Sequence, residues 1–200
     1  MRRHSPAPAP GRIRIIGGSL RGSRLDVPAS PGLRPTPDRV RETLFNWLQP
    51  VIAGARCLDL FAGSGANGIE SLSRGAALAT FVERDAAVAR HLSTNLTRLK
   101  ADAAELVCSD AMAFLERPSR AYDVVFMDPP FALDIAAAAA RRLEQGGWLA
   151  PAALIHIELP AGTALELPAN WLLHRHGRAG ALQYSLYRRV PASDSLQSAD

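Results

Sequence analysis

Four carboxylates, Asp59, Glu83, Asp110 and Asp128, each stand at or just after the end of a short apolar run. The first opens Asp59-Leu60-Phe61-Ala62-Gly63-Ser64-Gly65-Ala66-Asn67-Gly68, whose glycines satisfy G-x-G-x-x-G. Without side chains at Gly63 and Gly65 the chain turns sharply and lets a ligand approach. Glu83 follows where a carboxylate binds ribose hydroxyls. A nucleoside cofactor is implied. The glycines alone do not separate a dinucleotide from S-adenosylmethionine, but Asp59 at the strand tip repels a pyrophosphate and welcomes a cationic methionine moiety. The sulfonium cofactor is therefore expected.

Asp110, in Ser109-Asp110-Ala111, has two readings that remain open together: acceptor for an adenine amino group, and N-cap of the helix that follows. Asp128-Pro129-Pro130-Phe131, directly after YDVVFM, is more telling. Two prolines stiffen the chain and fix carbonyl directions, while Phe131 offers a face for stacking a base. An exocyclic amine on a nucleobase is a poor nucleophile because its lone pair is delocalised into the ring. Accepting its hydrogens at Asp128 and the Pro129 carbonyl directs that pair toward a methyl donor. The plain alternative is a loop with a core phenylalanine, yet loops at the carboxyl ends of strands are where this architecture binds ligands.

The elements that position these residues follow from periodicity. ARCLDLF, ATFVE, AELVCS, YDVVFMD and AALIHIEL are apolar runs of buried parallel strands. Helical patterns at 68–74, 85–99, 111–116 and 134–145 lie between them, so a doubly wound α/β sheet is expected. WLLHRHG and QYSLYRRV, separated by RAGA, predict a strand-turn-strand ending with an antiparallel last strand at the sheet edge. Ahead of the sheet, RIRII (12–16) and RLDVP (24–28) flank GGSLRGS, a β-hairpin with arginines on one side. A helix over about 37–48 comes next, with Thr36 as cap, Pro37 at the first helical position and Asp38 and Glu42 near the positive dipole end. Val40, Leu44 and Trp47 or Leu48 make its apolar stripe, leaving Arg39 and Arg41 off it.

The chain divides into a disordered tail (1–11), a basic hairpin-helix arm (12–49), a cofactor domain (50–190) and a second disordered tail (191–200). Residues 1–50 hold nine arginines against Asp26, Asp38 and Glu42, a balance of +6, while the other 150 residues carry −2. Such asymmetry suggests a polyanion held by the arm. The two cysteines, Cys57 and Cys108, sit in apolar runs and read as small buried hydrophobes of a reducing compartment. No run approaches a membrane span, and no apolar segment follows the basic start as in a leader, so a cytoplasmic location is expected. His91, His156, His174 and His176 lack ligand spacing, so no metal is expected. Trp47, Trp148 and Trp171 are expected to pack.

Over residues 13–189 the sequence resembles the RsmD family of bacterial 16S rRNA guanine-N2 methyltransferases. The residues that carry the likeness are RIIGG (14–18), LRPTPDRVRETLFNWL (33–48), LDLFAGSGANGIESLSRGA (58–76), FVERD (81–85), DPPF (128–131) and GRAGALQYSLYRR (177–189). The resemblance implies a seven-stranded Rossmann-like methyltransferase sheet and an enzyme that acts on guanine 966 within the small ribosomal subunit; a monomer is the default expectation. It implies a cofactor site of Asp59, Phe61, Gly63, Gly65, Glu83, Arg84, Asp110 and Ala111, with Asp128, Pro129, Pro130 and Phe131 as the catalytic loop. Arg34, Thr36, Arg39 and Arg41 fall in its N-terminal signature and are expected at rRNA phosphate or the target-base pocket, with a solvated helix face as the alternative. Asn67 and Ser71 depart from the family pattern in the helix after the glycines. The rival readings are a DNA adenine-N6 methyltransferase, whose amine makes the same demands on DPPF, a non-catalytic rRNA-binding assembly factor, and a nicotinamide dehydrogenase, in which DPPF has no role.

Overall fold

The computed structural model describes residues 11–27, 37–129 and 133–191. The expected disordered tails, together with Arg34, Thr36, Pro130 and Phe131, lie outside the described residues, apart from the edge positions Gly11 and Pro191.

A hairpin of β1 (Gly11–Arg14) and β2 (Arg24–Val27) leads into helix α1 (Asp38–Ile52). The body alternates β3 (Arg56–Asp59), α2 (Ala66–Ser73), β4 (Leu78–Glu83), α3 (Ala86–Arg98), β5 (Ala104–Cys108), α4 (Ala111–Phe114), β6 (Tyr122–Met127), α5 (Leu133–Gln145) and β7 (Leu149–Pro160). It closes on the hairpin β8 (Trp171–Ala179) and β9 (Leu182–Arg189). The seven-stranded sheet runs β5-β4-β3-β6-β7-β9-β8, with β3 to β7 parallel. The doubly wound, mostly parallel fold expected from the sequence is therefore present.

One detail is corrected. The last strand is antiparallel but not at the edge: β9 pairs with β7 on one side and β8 on the other. Burial explains the order, because Tyr184, Ser185 and Leu186 of β9 are buried while most of β8 is exposed.

Helix α1 starts at Asp38, with Pro37 as N-cap, and runs past its expected end to Ile52. Its buried stripe is Val40, Arg41, Leu44, Phe45, Leu48 and Ile52, so Arg41 lies on that face, not off it. Trp47 stands beside the stripe and stacks on Tyr184 at 5.5 Å. Trp148 and Trp171 are buried in the core. The arm's Ile13, Ile15, Leu25 and Val27 share one apolar cluster with Phe45, Phe81 and Leu92. Cys57 is buried, and its burial pushes the thiol up to about 12. Cys108 is exposed, contrary to expectation, because β5 is an edge strand.

Polar bonds seat the arm. The buried Glu70 of α2 accepts from Ile16 N–H and Gly17 N–H, each at 2.8 Å, and pairs with Arg74. Ser73 receives the Leu20 N–H at 2.9 Å. At Gly18, whose φ is +76°, a Cβ would stand 1.8 Å from the Ser73 carbonyl oxygen, so only glycine lets the two backbones meet. On the other side Asn95 of α3 bonds both backbone groups of Asp26.

Candidate active site

The parallel strands end along one rim, and the carboxylates read from the sequence gather there. Asp59 ends β3 and is buried; its Oδ2 accepts the Gly68 N–H at 3.1 Å. Burial pushes this carboxyl up to about 7 against the pull of the Gly68 N–H, and the charges of Glu83 and Glu158 push the same way. Gly63 and Gly65 carry φ of +51° and +75°, which makes the turn between β3 and α2. A Cβ at Gly68 would meet the Phe81 ring at 2.2 Å, so the third glycine brings α2 against β4.

Glu83, at the end of β4, accepts from Gly63 N–H at 2.8 Å and Asp85 N–H at 2.7 Å. One carboxylate thus pins the glycine turn and the start of α3. Arg84 beside it is exposed, and Phe61 is half-buried. Asp110 is the N-cap of α4, its Oδ1 accepting from Met112 N–H at 2.8 Å and Ala113 N–H at 3.3 Å. The capping half of its double reading is thus observed, and Ala111 behind it is buried.

Asp128 leaves the end of β6 exposed at the rim, with Pro129 buried behind it. Met127 is in register with Ile157, which sets Asp128 beside Glu158 of the next strand. Crowding by surrounding protein, then the charges of Glu158 and Asp59, push the Asp128 carboxyl upward, to about 8.

Sequence reasoning missed the pair behind this rim. His156 and Glu158 are both buried, with His156 Nε2 3.1 Å from Glu158 Oε1 and Nδ1 3.2 Å from the Ser185 carbonyl. Only a protonated Nδ1 bonds a carbonyl, so that nitrogen is the donor. The signal was available: two polar residues two apart in LIHIEL share one strand face.

Arg41 is corrected more sharply. Its side chain is fully buried, and Nη2 donates to the Arg14 carbonyl at 2.5 Å and to Asp38 at 2.9 Å. Nε and Nη1 have no partner among the described residues. Burial lowers its pKa, while Asp38, Glu70 and Glu158 hold it up. A guanidinium so enclosed is not a surface phosphate contact. Arg39, on the same helix, is exposed.

The geometry suits the expected cofactor. The buried Asp59 is an anionic seat that a cation relieves. A parallel sheet of this order, with an acid at the tip of β3 and another at the end of β4, defines an S-adenosylmethionine-dependent methyltransferase. An RNA methyltransferase from Salinibacter ruber, solved in complex with S-adenosyl-L-homocysteine, shares the fold with a TM-score of 0.63 at 16% identity, over 80% of this chain and 95% of that one.

Residues 13–188 match the family model described as Conserved hypothetical protein 95. The chain belongs to that family, the RsmD family. It is 54% identical to the ribosomal RNA small subunit methyltransferase D of Escherichia coli K12 over 186 residues, 92% of this chain and 94% of the relative. The protein of that name from Haemophilus influenzae is 46% identical over 184 residues, 90% and 95% of the two chains. The solved yhhF structure of Escherichia coli superposes with a TM-score of 0.84 at 51% identity, covering 90% and 99%.

Proposed function

We propose that this chain transfers a methyl group to the exocyclic N2 of guanine 966 in 16S rRNA, within the small ribosomal subunit, as a cytoplasmic monomer. The observation that carries the reading is the Asp128-Pro129 end of β6, set beside Asp59 and Glu158 at the rim, in a chain 54% identical to a named small-subunit rRNA methyltransferase. Asp59, Phe61, Gly63, Gly65, Glu83, Arg84, Asp110 and Ala111 hold the cofactor. When bound, S-adenosylmethionine supplies an electrophilic methyl on a cationic sulfur.

Asp128 and the Pro129 carbonyl accept the hydrogens of the target amine. Asp128 then takes the proton that the amine nitrogen sheds on methylation. Phe131, next to Pro130, stacks the base. Bringing the base out of its stack costs a few kcal/mol, which arm contacts through Arg34, Thr36 and Arg39 offset. Holding the reacting atoms together contributes on the order of 7 kcal/mol. Residues 12–49 act as the recognition arm and 50–190 as the catalytic unit.

The test is transfer from labelled S-adenosylmethionine to unmodified small subunits, free 16S rRNA and duplex DNA, with nucleoside analysis. N2-methylguanosine in the ribosomal samples alone is expected. Methyladenine in DNA, or tight rRNA binding with no transfer, overturns the reading.

A further inference from the structure

We propose that the outer hairpin β8–β9 is a second RNA-backbone contact surface, with Arg175, Arg178 and Arg188 as its phosphate ligands. The inference rests on the rRNA reading above and adds a surface that the N-terminal arm does not contain.

The charge is concentrated here. From Leu167 to Ser193 there is no Asp or Glu, although the chain beyond residue 50 is net acidic. Four arginines fall in that stretch. Arg189 is spent on Glu144, which receives its guanidinium at 2.8 Å. Arg175, Arg178 and Arg188 are exposed, and none of them meets a carboxylate among the described residues.

Strand geometry brings two of them together. Arg175 is opposite Leu186 and Arg188 opposite Leu172, so by alternation Arg175 and Arg188 stand on one face as diagonal neighbours. The bulge between Leu173 and Arg175 inserts His174 next to them. His174 is held below its ordinary value by partial burial and then by the charges of Arg175 and Arg188. Arg178, opposite Gln183, is on the other face near Pro160, at the rim end of β7 where Asp128 also lies. Arg175 and Arg178 thus stand on the edge strand β8 and Arg188 beside it on β9, with Arg178 the one nearest the active-site rim.

The arm meets this ribbon. Trp47 of α1 stacks on Tyr184 of β9, and a Cβ at Gly177 of β8 would strike that same tyrosine ring at 2.3 Å. Arm and hairpin thus form adjoining walls, and a polyanion that reaches the rim along the arm passes the ribbon. The arginine fork suits phosphate oxygens from either wall.

The test uses R175A/R178A/R188A in the full chain, with binding to free 16S rRNA and to unmodified small subunits across a salt series. Loss of three phosphate contacts makes the slope of log K against log salt shallower by about 2. Affinity for S-adenosylhomocysteine and the Tm are expected to stay at wild-type values, because the three side chains bond nothing in the core. R175K/R178K/R188K is expected to keep the wild-type slope. A triple-alanine slope equal to wild type overturns the ribbon and leaves the rRNA reading standing. Wild-type chain that fails to bind rRNA overturns both. If triple alanine keeps naked-rRNA binding but loses subunits, the edge, with exposed Leu172 and Leu173, faces a ribosomal protein, and the proposal is wrong.

Discussion

The charge at the rim makes a quantitative prediction about the cofactor and its product. Asp59 is held up at about 7 by burial and by Glu83 and Glu158. A sulfonium seated against it favours the ionised form, so binding below that pH must expel a proton. If the bound carboxyl returns to about its ordinary 4, lowering pH from about 8 to 6 weakens S-adenosylmethionine binding by about tenfold through Asp59 alone. S-adenosylhomocysteine carries the same amino acid and nucleoside but a neutral sulfur, so its affinity is expected to change far less. Titration calorimetry at several pH values, in two buffers of different ionisation enthalpy, reads both affinities and proton release. D59N is expected to flatten the curve for the sulfonium ligand. Parallel pH curves for the two ligands in the wild-type chain would refute the argument, since only the sulfonium charge distinguishes them.

Two further outcomes follow from single contacts. D128A is expected to retain S-adenosylhomocysteine binding and lose most turnover in a single-turnover methylation assay; an equal loss of ligand affinity removes Asp128 from its role toward the amine. G18A drives a Cβ into the Ser73 carbonyl at a positive φ, which unseats the arm. Chemical denaturation is expected to show a loss of about 2 kcal/mol or more, with rRNA affinity falling further than cofactor affinity.

What the sequence disclosed were the features written in local pattern. Apolar runs ending in Asp59, Glu83 and Asp128 mark strand ends, the glycines mark the turn, and the alternation of runs marks the parallel sheet. What it concealed depends on partners far along the chain. Arg41 reads as a solvated helix charge, and only the seated hairpin, whose Arg14 carbonyl it binds, encloses it. The interior position of β9 depends on how a hairpin turns against β7, which periodicity does not encode. Glu70 looks like an ordinary helix acid, yet its ligands are backbone groups 53 and 54 residues away.

The shared use of α2 limits how such an enzyme can be rebuilt. Its first turn gives the Gly68 N–H to Asp59, and its middle receives the arm through Glu70. Cutting the arm away would strip Glu70 of both backbone donors and leave Arg74 as its remaining partner, on the same eight-residue helix whose first turn bonds Asp59. Arm and body are therefore not separable cassettes: the arm cannot be exchanged for another without retuning α2.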